Sequence, residues 1–277
     1  MITERDIKAL SLLHEFHFLT IEQLALCLYG NRVVVQRRLQ SMEKEALVFS
    51  IPMMDGKRGK PTKLYYLNGR RQSYLEEIMG CSLSTQNLYK DPPLNLLVPR
   101  HQAELNEVLV RLYAGSILKG YQFSFIPEYY KQGKKNVLDR SVILGKEVRY
   151  RRDAVCCVSS SRSSALFEIE YDRGNEALVG SRHRKITIEN KLRTFVQSVK
   201  ERQFESYNEV FNSSFSVSRM VLVTSSRERI ENISRLCDQL ETKGLVYLAV
   251  LEAMVPESIF DAGWMVPPDK NLKGLGQ

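Results

Sequence analysis

Apolar residues in the first fifteen positions recur at helical spacing. Ile7, Leu10, Leu12 and Leu13 form one stripe, Thr3 stands where an N-cap belongs, and Asp6 follows three residues later. The pattern predicts a helix over 3–15. A second is predicted over 21–28, capped by Thr20 with Glu22 and Gln23 in its first turn, and stopped at Tyr29-Gly30-Asn31. Asn31 then caps a third, running to about Glu45. On it Val35, Leu39, Met42 and Ala46 fall at spacings of four, three and four, so they face a core. Arg32, Val33, Gln36, Arg37, Gln40 and Lys44 fall on the other side. Strand-like runs follow at 47–51 and 62–67, joined by a turn with Gly56 and Gly59 that carries Lys57, Arg58 and Lys60. Three helices and a hairpin in this order predict a winged helix-turn-helix domain over 1–84.

Beyond a further helix at 70–79, residues 85–98 hold Pro92 and Pro93 with few periodic apolar positions and read as a linker. A helix is expected at 100–117 and strands at 121–125, 152–158, 165–171, 216–223 and, last, 245–251. Helices are expected at 182–200 and 227–243, and 129–146 reads as loop or hairpin. The succession predicts an α/β domain over 99–277, so the chain as a whole is α/β (α+β overall).

Composition narrows the partner. The net charge is +8, and between Gly30 and Arg71 ten bases face three acids, leaving +7 in 42 residues. Lysine and arginine at that density release counterions from phosphates. Arg32, Gln36, Arg37, Gln40 and Lys44 suit base edges, since arginine pairs with guanine and glutamine with adenine. Lys57, Arg58, Lys60 and Lys63 suit the phosphate backbone. The partner expected is double-stranded DNA, bound by a pair of identical chains on two half-sites. Five scattered cysteines without CxxC spacing argue for reduced thiols and against a zinc module. The charged start MITERDIK and the absence of a long apolar run lead to a cytoplasmic expectation without a membrane partner.

A second chemistry is suggested by FEIEYD, residues 167–172. As a strand it puts Glu168, Glu170 and Asp172 on one face, roughly 6–7 Å apart. Such a row needs cations among it. With Asp153 on the preceding strand it resembles the PD-(D/E)xK nuclease core, in which an aspartate and a glutamate hold Mg²⁺ and a lysine helps activate water. Two positions depart from that pattern: Arg152 stands where a proline precedes the aspartate, and Glu170 where the lysine belongs. Lys185 or Lys191 from the following helix could supply the amine. A plainer expectation has the acids on the wet face of a strand, answered by Arg182, Arg184, Lys185, Lys191 and Arg193.

The whole chain resembles the replication-relaxation family of plasmids, conjugative elements and phages. The resemblance rests on 18-FLTIEQLA-25, Arg37-Arg38-Leu39, Gly59-Lys60-Pro61 with 64-LYYL-67, and His101 with Asn106. It continues through Asp153-Ala154-Val155, 167-FEIEYDRG-174, Lys191 and Gly263-Trp264. It implies an N-terminal winged helix, a nuclease-like α/β domain, and a role in replication or transfer of a mobile element. The leading expectation is a sequence-specific DNA-binding protein regulating plasmid or phage replication, transfer or transcription, without a cofactor. One alternative is a Mg²⁺-dependent endonuclease using Asp153, Glu168 and Glu170 with Lys185 or Lys191. Another is an adaptor that binds replication or conjugation proteins.

Overall fold

The computed structural model describes all residues except 1, 29, 54–61, 86–87, 94–96, 129–130, 133–134, 175, 181–186, 243, 268 and 274–277. Two compact units result, Met1–Val110 and Arg111–Gln277.

The first unit opens with α1 (Glu4–Phe16), α2 (Ile21–Cys27) and α3 (Arg32–Lys44), each capped as its sequence predicts. The Thr3 backbone N–H donates to Asp6 at 2.8 Å, and that of Thr20 to Gln23 at 2.9 Å, while Asn31 accepts from Val33 N–H at 2.8 Å. Such caps satisfy the donors a helix start leaves open. Leu10, Leu13, Phe16, Leu24 and Leu39 are fully buried. Of the expected α3 stripe Val35, Leu39 and Met42 are buried; Ala46 lies past the helix end at φ 55° and is only half-buried. β1 (Val48–Met53) and β2 (Thr62–Leu67) pair antiparallel from Val48↔Leu67 to Met53↔Thr62, and Leu19 adds a bridge to Tyr65. α4 (Gln72–Met79) ends at left-handed Gly80.

Residues expected to form a free linker are partly built into this unit. Gly69 N–H donates to the Tyr89 carbonyl at 2.9 Å. The Tyr89 ring packs on Phe18 and Tyr66, with centroids 5.1 and 5.7 Å away. The division falls instead within α5 (Leu97–Leu118), after Val110. Asn106 on α5 explains why its first half belongs here. Its amide donates to the carbonyls of Phe16 and Phe18 at 2.9 and 2.6 Å, satisfying acceptors that the end of α1 leaves without helical partners. Gln23 similarly donates to Ala103 O and Glu107.

The second unit is a mixed α/β fold. β3 (Gln122–Pro127) is followed by two small hairpins, β4 (Lys131–Gln132) with β5 (Lys135–Asn136) and β6 (Arg140–Ile143) with β7 (Glu147–Tyr150). Then come β8 (Ala154–Ser159), β9 (Ser164–Asp172), α6 (Ile188–Lys200), the short α7 (Tyr207–Val210), β10 (Ser218–Thr224), α8 (Arg227–Gln239) and β11 (Val246–Val250). The sequence expectation ended there. The chain adds β12 (Trp264–Val266) and β13 (Asp269–Lys273), too short and too close to Pro267 to show a period of two. The seven-stranded sheet runs β13-β12-β11-β10-β9-β8-β3, with β9, β10 and β11 parallel and the others antiparallel. β9 is thus a central strand. Ile188, Leu192 and Phe195 of α6 and Ile230 and Ile233 of α8 pack with Met220 and Leu222 of β10 in one apolar cluster. Glu168 and Glu170 are in register with Met220 and Leu222, so they share that helix-covered face.

Candidate functional site

Two places carry chemistry. The first is the outer face of α3, where Arg32, Gln36, Arg37, Gln40 and Lys44 are all exposed and Val33 is 60% exposed. Arg32, Gln36 and Gln40 line a hollow of about 260 Å³ together with Glu22 and Lys63. Lys63, exposed on β2, lies 3.7 Å from Glu43. Arg38 faces the other way, where its Nε donates at 2.8 Å to the buried Asp6. Burial alone would raise the Asp6 carboxyl, but hydrogen bonds from Arg38 and Thr3 outweigh it and hold that group below the usual range. Arg38 therefore ties α3 to the first turn of α1 and is not part of the basic face. Lys57, Arg58 and Lys60 lie outside the described residues.

The second place is the acidic face of β9, and it is not wet. Glu168, Glu170 and Asp172 are each no more than 3% exposed. The expectation of a solvated row is corrected: β9 is a central strand, parallel to β10 and antiparallel to β8, and side chains from α6 and α8 reach its acids. The cations that acids need come from scattered positions. Arg152, 1% exposed, donates from Nε to Glu168 at 3.1 Å and lies 3.7 Å from Glu170. Its guanidinium also stacks over Tyr150 at 4.7 Å. Lys191 reaches Glu170 at 3.2 Å and Glu176 at 2.8 Å. Arg229 of α8 clamps Asp172 through Nε at 2.5 Å and Nη2 at 3.2 Å. Ser218 donates to Glu168 at 2.9 Å, and Asp153 accepts from Tyr171 N–H at 2.8 Å. Burial pushes the Glu170 carboxyl up, the charge of Asp153 adds to this, and Lys191 and Arg152 oppose it; the result is about 7.

A divalent ion needs carboxylate oxygens turned toward it. Both oxygens of Glu168 are taken, by Arg152 and Ser218, and Glu170 lies between Lys191 and Arg152. As arranged, Glu168 and Glu170 are engaged by side chains of the protein itself. Of the basic residues expected to answer the acids, Lys191 does so. Arg193 instead pairs with Glu189, and Arg182, Arg184 and Lys185 lie outside the described residues.

Residues 10–213 match the replication-relaxation family. The chain belongs to that family. The matched span holds α3, Asp153, Glu168, Glu170 and Lys191, whereas Ser218 and Arg229 lie beyond it. No curated protein matches the sequence. Among solved structures the chain is similar to the restriction endonuclease FokI at 12% identity and a TM-score of 0.28, over 92% of this chain and 44% of that one. It therefore spans less than half of that protein's length. No helix among the described residues is long and apolar enough to cross a membrane.

Sequence reasoning missed Arg152 and Arg229 in this replication-relaxation chain. Arg152 had a signal: an arginine directly before the aspartate that leads into an expected strand. Arg229 had none, because it lies 57 residues from Asp172.

Proposed function

We propose that this replication-relaxation protein binds double-stranded DNA through α3 and the β1–β2 hairpin. In this reading it regulates replication, transfer or transcription of a mobile element. The observation that carries it is the division of α3: Val35, Leu39 and Met42 buried, Arg38 committed to Asp6, and Arg32, Gln36, Arg37, Gln40 and Lys44 left in solvent. Charged and amide side chains on one exposed helix face are the equipment for reading major-groove edges. The exposed Val33 between them suits the methyl group of thymine. Lys57, Arg58, Lys60 and Lys63 would hold the phosphates, and two copies on two half-sites would raise affinity and specificity.

The endonuclease reading is weaker because the carboxylates of β9 are already held by Arg152, Lys191, Ser218 and Arg229. In the binding reading the second unit is a scaffold, with no cofactor. Anisotropy titrations of labelled duplexes over a salt series test the proposal. Phosphate contacts predict a steep fall of log affinity with log salt, and a flat response contradicts it.

A further inference from the structure

Resting on the DNA-binding reading, we infer that Glu22 is a positioning residue for base recognition, aiming Arg32 at a guanine in the major groove. Arg32 is the first residue of α3, and its Nε lies 2.7 Å from Glu22 Oε1 on α2. The pair is 67% and 50% exposed, so it adds little to stability. What it does is divide the donors of the guanidinium. Arginine carries five N–H groups in a planar fork. With Nε–H given to Glu22, the edge formed by Nη1 and Nη2 remains, and it presents two parallel donors. Guanine offers two parallel acceptors, O6 and N7.

Both partners stand on anchored backbone. Glu22 sits in a first turn closed by Thr20 and Gln23, whose amide is itself held by the Ala103 carbonyl at 2.9 Å. Arg32 follows the Asn31 cap directly. Gln36, Gln40 and Lys63 line the same hollow as the pair. An arginine already paired before the base arrives loses less freedom on binding. The carboxylate also has an opposite effect. It places a negative charge on a surface that must approach a polyanion, which lowers affinity for every sequence alike.

These two effects separate in one experiment. Duplexes that the chain retains are selected from a random pool, and each guanine is replaced in turn by 7-deazaguanine, which lacks the N7 acceptor. The guanine read by Arg32 is the one whose replacement weakens the wild type about tenfold and leaves Arg32→Ala unaffected. With Glu22→Gln, random duplex is expected to bind several-fold more tightly, while discrimination against 7-deazaguanine at that position falls to less than threefold. Glu22→Asp should fall between the two. If Glu22→Gln strengthens both duplexes equally and leaves discrimination intact, Glu22 only damps charge and the inference is overturned. It is overturned equally if no guanine depends on Arg32. Failure of the wild type to retain any duplex overturns the DNA-binding reading itself.

Discussion

Replacing Glu170 by glutamine should make the second unit more stable at pH 8 and leave it nearly unchanged at pH 5. The carboxyl is raised from an ordinary 4.5 to about 7 because it is buried near Asp153, and Lys191 and Arg152 compensate only in part. A raised carboxyl binds its proton more tightly in the folded chain. The stability this brings is present below about pH 4.5 and is lost as pH rises through 7. At about 1.4 kcal/mol per unit, the wild type loses roughly 3 kcal/mol across that window. Glutamine takes up no proton and has no such slope. Some of the gain is offset because Lys191 loses one partner, although Glu176 remains 2.8 Å away. A net gain of about 1–2 kcal/mol at pH 8 is expected. Trp264 is the only tryptophan and is buried in β12 of the same sheet, so its fluorescence in guanidinium titrations follows this unit. A loss greater at pH 8 than at pH 5 would refute the reasoning, since it would mean an ionised Glu170 firmly held by its cations.

Arg38→Ala should destabilise the first unit by about 2 kcal/mol at neutral pH, because it strips a buried carboxylate of its charged donor. Asp6 is held below 3.8, so that penalty should shrink as pH falls through this range in thermal melts followed by circular dichroism. Gly115→Ala should cost about 1–3 kcal/mol by the Trp264 assay, since a Cβ there would run into Ile259 and lie 2.9 Å from the Pro256 carbonyl. Changing Lys57, Arg58 and Lys60 together to alanine should weaken binding to all duplexes and lower the salt slope by about 2–3; an unchanged slope removes the hairpin from the interface. Replacing thymine by deoxyuridine in selected sites should weaken the wild type several-fold and Val33→Ala hardly at all, measured by anisotropy.

The local rules of the first unit were readable from the sequence. Thr3, Thr20 and Asn31 cap because their own side chains reach donors two or three residues away, and the stripe of α3 follows from its period. Glu168 and Glu170 show the limit of such reading. Alternation says that they share a face, but whether water or helices cover it depends on strand order, which is set by residues far along the chain. Pairing is equally remote: Ser218 lies 50 residues from Glu168 and Asn106 lies 90 from Phe16. Asn106 was singled out as part of a family pattern, and only the structure shows that it closes the end of α1. The exposed face of α3 was legible for the opposite reason, since solvent requires no distant partner.

The mixed order of the large sheet has a consequence for how the molecule forms. β8 and β9 are joined by a tight turn closed by Ser160 N–H donating to the Ser163 carbonyl at 2.8 Å, so this hairpin can assemble from neighbours alone. β10 must return from beyond α6 before it can pair with β9, and such long closures come later and more slowly. Until α6 and α8 arrive, Glu170 stands in water. Its burial, which raises its carboxyl, is then a late event, so the barrier to folding this unit should rise with pH even where its hairpin forms equally fast.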